Sequence, residues 1–307
     1  MAKRALALLL VFATLLFTGC ENSIGNEKVK IVTTFFPIYD FAREVAGDKA
    51  EVQMLFTTGV EPHSYEPTIS DIALIDKSDL LVYVGGESDV FLENIETKNE
   101  VLKLSKVANT YLQKDIAANI GDGKVHESHE HKESGNFDEH IWLSPKNAKK
   151  IVNGITEKLA LIDEENAEFY KNNASAYILK LDKLSKDLES INGQKEIVIA
   201  DRFPFGYILH DYKLNFISAI DGCSSDSEPT VSTMKFLIDT INTEKIDTVF
   251  TIEGSTKTIA KRLQKECGVN IKMLYSMQTI SKNDLENNEN YLSLMQKNIE
   301  LIKEVAK

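Results

Sequence analysis

His63 stands between two prolines in Gly59-Val60-Glu61-Pro62-His63-Ser64-Tyr65-Glu66-Pro67. The fixed φ of proline stiffens the loop on either side, so the imidazole is held in place as a ligand site requires. A second histidine, His140, lies in Asp138-Glu139-His140-Ile141-Trp142-Leu143-Ser144-Pro145. Ser144 reads there as an N-cap and Pro145 as the first helical residue, which puts His140 just ahead of a helix start. Asp201 and Glu253 close strand-like runs at 196–200 and 248–252. Two neutral imidazoles with one or two carboxylates suit a borderline divalent ion, zinc first and manganese as the oxygen share rises. The plainer readings are a solvated loop histidine at His63, a helix cap at Asp201 and, for Glu253 before Gly254-Ser255-Thr256, a helix cap or a hydrogen bond behind a ligand. Trp142, the one tryptophan, is expected in the core.

Three further histidines, His126, His129 and His131, fall in a polar segment, 121–137, that has no hydrophobic period. Cys223 and Cys267 form an even pair in the exported part of the chain. They suit a disulfide, while Cys223 in Asp221-Gly222-Cys223-Ser224 also suits a thiolate ligand facing a cleft. His210 reads as a surface residue.

The elements that must position these groups follow a βαβ rhythm. Strand-like runs at 29–35, 52–56 and 80–84 alternate with helical patterns at 38–46 and 69–76. A second series places strands at 196–200, 216–220, 248–252 and 270–274 and helices at 234–241, 256–265 and 292–305. The reading is an α/β chain of two lobes, each with a mainly parallel sheet flanked by helices. Between them Ala167, Tyr170, Ala174, Tyr177, Leu181, Leu184, Leu188 and Ile191 recur at alternating spacings of three and four. This predicts one long rigid helix joining the lobes. The expected division is a signal peptide at 1–20, an N-terminal lobe at 21–162, a linker helix at 163–192 and a C-terminal lobe at 193–307. Parallel sheets bind ligands beyond the carboxyl ends of their strands, where Asp201 and Glu253 fall.

With 35 basic and 47 acidic residues the 307-residue chain carries a net charge of −12, which repels phosphate and argues against a nucleic-acid partner. Lys3 and Arg4 precede an apolar run at 5–17, too short to span a bilayer and suited to a signal segment. Phe17-Thr18-Gly19-Cys20 resembles a bacterial lipoprotein signal, which implies lipidation at Cys20 and an extracytoplasmic location on a membrane face.

Ile31-Val32-Thr33-Thr34-Phe35-Phe36-Pro37-Ile38-Tyr39-Asp40, the proline-flanked His63 loop and His140-Ile141-Trp142-Leu143-Ser144-Pro145 resemble the zinc- and manganese-binding receptors of bacterial ABC importers. The resemblance runs through the whole mature chain. It implies a bilobed α/β fold with a rigid interlobe helix, a metal in the cleft and a membrane permease as partner; a monomeric receptor that is not an enzyme is the expectation. His63 and His140 match two ligands of that family. In Ala200-Asp201-Arg202-Phe203 an ungapped match puts Arg202 at the third position, and a shift of one residue puts Asp201 there. For the fourth, Glu253, Tyr275, Cys223 and water are the candidates. His126, His129 and His131 resemble the zinc-collecting loop of zinc-specific members, which favours Zn2+ over Mn2+ as cargo. A manganese receptor, a surface adhesin and a zinc-dependent hydrolase are the alternatives; no HExxH or Gly-x-Ser-x-Gly signature supports the last.

Overall fold

The computed structural model describes residues 27–121, 137–192, 195–223 and 228–306, so Cys20 and the His126, His129, His131 segment lie outside the described residues. Strand β1 (Val29–Thr33) buries its last three residues, and β3 (Leu80–Tyr83) is buried along its whole length. A strand apolar on both faces is what a sheet covered by helices on both sides demands. Both strands pair in parallel, with Ile31 opposite Leu80, and β1 pairs on its other side with β2 (Ala50–Met54), where Ile31 meets Val52. The fourth strand, β4 (Glu100–Lys103), pairs with β3 and completes the order β2-β1-β3-β4.

The second sheet repeats that order. Strands β5 (Ile197–Ile199), β6 (Phe216–Ser218), β7 (Thr248–Ile252) and β8 (Asn270–Leu274) run β6-β5-β7-β8, all parallel. Right-handed crossovers carry helices between parallel strands, and here α1 (Phe36–Ala46), α2 (Ile69–Asp76), α5 (Gly206–Tyr212), α6 (Val231–Glu244) and α7 (Thr258–Cys267) fill them. Thr68 and Asp71 form a reciprocal capping box that starts α2, directly after the His63 loop.

Between the two sheets the chain runs through α3 (Pro145–Ile162), which packs on α1 and β4 of the first lobe, and then through α4 (Ala167–Glu189). Over its 23 residues α4 spans about 34 Å at 1.5 Å per residue, and it buries Tyr170, Ala174, Tyr177, Leu181, Leu184 and Leu188. That stripe packs on α3, on α1 and on α9 (Tyr291–Val305), which follows the short helix α8 (Lys282–Glu286). One apolar core therefore runs from Ile31 and Leu80 in the first lobe to Phe250, Leu274 and Ile299 in the second. A separate cluster, Val198, Ile217, Leu237, Val249 and Leu263, serves the far face of the second sheet. A shared core opposes hinge motion, because rotating one lobe against the other would expose apolar surface at roughly 25 cal/mol per Å².

Polar ties cross the same junction. The Trp142 indole N–H donates to the Ser276 carbonyl at 2.8 Å, and the Tyr291 hydroxyl donates to the Trp142 carbonyl at 2.7 Å. The Tyr207 hydroxyl donates to the Asp138 carbonyl, also at 2.7 Å. Trp142 is fully buried in the core, against Phe35. Ser144 precedes α3 as expected but its hydroxyl does not cap the helix; it donates to Asp211. No helix among the described residues is long and apolar enough to cross a membrane.

Candidate metal centre

Three donors converge between the lobes: a ring nitrogen of His63, a ring nitrogen of His140 and Cys223 Sγ all lie within 4.8 Å of one another. His63 occupies a single 3-10 turn, Pro62–Ser64, in the loop after β2. Its Nδ1 lies 3.1 Å from the Ser88 hydroxyl oxygen, and that hydroxyl in turn donates to Glu139 Oε1. The backbone N–H of Ser88 donates to the other Glu139 oxygen at 2.9 Å. This chain of bonds puts the His63 proton on Nδ1 and leaves the Nε2 lone pair facing the cleft. Gly86 is needed beneath it, since a Cβ there would come within 2.5 Å of the Glu139 side chain.

His140 precedes the 3-10 turn Ile141–Leu143 that leads into α3. Both its backbone N–H and its Nδ1 meet Asp138 Oδ1, at 2.8 and 2.7 Å. The carboxylate fixes the ring and its tautomer, so Nε2 points at Cys223 Sγ, 3.4 Å away. Cys223 is buried in the loop after β6. It follows Gly222, whose φ of 68° lies in the left-handed region that favours glycine.

Burial alone would pull both imidazoles down. It is outweighed at His140 by Cys223 and Asp138 and at His63 by Cys223 and Glu139, so both stand above the ordinary histidine value. Burial pushes the Cys223 thiol up, and the neighbouring imidazoles more than reverse this, favouring thiolate. Without an ion, the three groups thus share protons that a bound cation would displace.

Asp201 and Glu253 do not join this group. The Asp201 carboxylate accepts from the Arg202 backbone N–H at 2.9 Å, and the Arg202 guanidinium sits 3.5 Å from Glu61 in the His63 loop. A strand-end carboxylate has found a backbone donor and a cation instead of the cleft centre. Glu253 accepts from the Ser276 N–H at 2.7 Å and from its hydroxyl, with burial holding its carboxyl above the ordinary range despite those bonds. It clamps the loop after β8. Tyr275 in that loop takes its backbone bond from Asn298, and its ring lies under Lys297. Cys223 and Cys267 are both free thiols, so the disulfide expected from their even number is not formed; Cys267 ends α7, away from the cleft.

The same loop brings in a group that the sequence reading did not single out. Gln278 is buried, and its side-chain amide lies 2.9 Å from His63 Nε2. It follows Met277, a buried residue held at φ 61°, a costly conformation for a side chain of that size. Asp138 and Glu139 were legible only as neighbours of His140; Gln278 lay in the segment 274–278 where the family resemblance puts a further ligand but was not itself singled out, and nothing in the sequence pointed to Ser88.

Residues 31–305 match the family described as zinc-uptake complex component A, periplasmic. The chain belongs to that family. Over 310 residues it is 32% identical to the zinc-binding lipoprotein AdcA of Streptococcus pneumoniae strain R6, covering 99% of this chain and 61% of AdcA. The chain thus spans less than two thirds of that relative. It is 30% identical to the high-affinity zinc uptake system protein ZnuA of Bacillus subtilis, covering 94% of this chain and 93% of that protein. The solved Zn(II)-bound ZnuA-like domain of S. pneumoniae AdcA superposes with a TM-score of 0.72 at 30% identity, over 91% of this chain and 99% of the domain. The family's two-lobe arrangement of parallel sheets is the one found here.

Proposed function

We propose that this protein is the extracytoplasmic receptor of a zinc importer. It captures one Zn2+ between its lobes with His63 and His140 and presents it to a membrane permease of the ABC class. It binds and releases its cargo without chemical turnover. The observation that carries this reading is the pair of imidazoles, each oriented by an anionic partner through Nδ1 with Nε2 turned to a common point. Metal-binding histidines are held in this way. Membership of a zinc-uptake family supports the choice of ion.

Cys20 would carry the lipid that keeps the receptor on its membrane, and His126, His129 and His131 would gather zinc for the site. Both imidazoles come from one chain, so a monomer is sufficient. The test is titration of residues 21–307 carrying Cys20→Ser with zinc, beside a His63→Ala, His140→Ala double variant. The expected result is one tight zinc per chain and a loss of affinity on the order of a thousandfold or more in the double variant, about 4 kcal/mol. Tight zinc binding that survives the double substitution would overturn the proposal.

A further inference from the structure

We propose that Cys223 and Gln278 complete the zinc site as a thiolate and a neutral amide oxygen, so that the receptor accepts borderline and soft cations and rejects manganese. This rests on the zinc-receptor reading and adds to it the donor chemistry of the second lobe.

The distances fit a single ion. A tetrahedral zinc with a nitrogen at 2.0–2.1 Å and a sulfur at about 2.3 Å separates those two donors by about 3.6 Å. Cys223 Sγ and His140 Nε2 are 3.4 Å apart. Cys223 is held at this point by the Gly222 turn, with its backbone fixed where Phe203 N–H donates to the Gly222 carbonyl at 2.8 Å. The fourth corner belongs to Gln278. Its amide faces His63 Nε2, and the same pocket is satisfied by either end of the amide: the nitrogen donates to the bare imidazole, and a half-turn about the terminal torsion brings the oxygen to a cation. Glu253, Ser276 and the left-handed Met277 fix the backbone that delivers it.

What is missing from the donor group decides the selectivity. Among the described residues no carboxylate joins the three converging donors. Asp201 is turned onto Arg202 and Glu253 onto Ser276. Manganese and magnesium prefer carboxylate, carbonyl and water oxygens, whereas thiolate and imidazole favour zinc, cobalt, cadmium and Cu(I). Two imidazoles, one thiolate and one neutral amide carry a single negative charge, against two for a pair of carboxylates. The site therefore discriminates by ligand softness more than by charge.

The test uses residues 21–307 with Cys20→Ser, loaded with Co(II) and read by absorbance, then titrated competitively with zinc, cadmium and manganese. The unaltered site should bind one cobalt with visible bands of a four-coordinate ion and an intense near-ultraviolet thiolate-to-cobalt band. Cys223→Ser should abolish the near-ultraviolet band while cobalt still binds. It should lower zinc affinity on the order of a hundredfold, lower cadmium affinity more, and leave manganese unchanged. Gln278→Glu, which adds the missing carboxylate, should raise manganese affinity by about tenfold and narrow the gap to zinc. Circular dichroism of each ion-free variant checks that it folds. Cobalt bound without the charge-transfer band, or with a band that Cys223→Ser leaves intact, overturns the thiolate assignment and spares the receptor reading. Manganese bound as tightly as zinc overturns the selectivity. Failure of the unaltered protein to bind zinc or cobalt at all overturns the receptor reading itself.

Discussion

The two lobes share a strand order, β2-β1-β3-β4 in one and β6-β5-β7-β8 in the other, yet they furnish the cleft in different ways. The first lobe contributes imidazoles whose far nitrogens are locked by Asp138 and by the Ser88–Glu139 pair, all buried. The second places Cys223 and Gln278 there, which rely on backbone turns at Gly222 and Met277, with Glu253 holding the Ser276 backbone rather than either side chain. Identical topologies place loops at equivalent sheet ends, and the chemistry lies in the loops. On the proposed zinc-receptor reading, the first lobe's imidazoles are preorganised by side-chain partners and the second lobe's donors by backbone turns. The shared core and the Trp142–Ser276 bond tie the two halves together.

Removing the support behind one imidazole attacks the contrast most strongly. Asp138→Asn keeps the shape but loses the charge that orients His140, and should weaken zinc 10- to 100-fold, the usual cost of losing such a partner. Competitive zinc titration checks this, and an unchanged affinity would erase the distinction between the lobes.

A second prediction concerns the cost of burying carboxylates in the first lobe. Burial raises Asp40 from the ordinary carboxylate range to about 6, although it accepts the Tyr291 N–H at 3.0 Å and so ties α9 to α1. A raised folded-state value means that the folded protein holds this proton more tightly than the unfolded chain. The resulting stability is complete below about pH 4 and is lost as pH rises through about 6. Asp40→Asn keeps an acceptor for Tyr291 and removes the charge. It should stabilise the protein at pH 7 by on the order of 2 kcal/mol, with the advantage vanishing near pH 4. Urea unfolding at several pH values reads the difference directly, and an advantage independent of pH would contradict the assignment.

The smallest effect is expected at Asp201. With its carboxylate committed to Arg202, Asp201→Asn should change zinc affinity by less than about threefold, worth about 0.6 kcal/mol. A loss comparable to that of Asp138→Asn would return Asp201 to the coordination sphere.

Much of this architecture was legible because its signals are local. The short β-branched and apolar segments at 29–33 and 80–83, between turn signals, read as strands, and the alternating spacing through α4 reads as a helix with one buried face. The edge strand β4, Glu-Val-Leu-Lys, has too short an apolar run to stand out. The same division holds in the cleft. His63 and His140 announced themselves by prolines and a helix start beside them. Cys223 and Gln278 meet those histidines across 83 and 215 residues; Cys223 stood in the sequence as one ligand candidate among several, and Gln278 is brought in by tertiary contact alone. Asp201 shows the limit of the strand-end rule, which locates the crevice but not the direction in which a side chain turns when a cation stands next to it.

The most direct test of a zinc ion shared between the lobes is its X-ray absorption fine structure in residues 21–307 with Cys20→Ser, loaded with one equivalent of zinc. The account predicts one sulfur at about 2.3 Å and two imidazole nitrogens at 2.0–2.1 Å, with a light fourth neighbour. A shell of nitrogen and oxygen alone would contradict it, and would show that the second lobe does not close on the ion through Cys223.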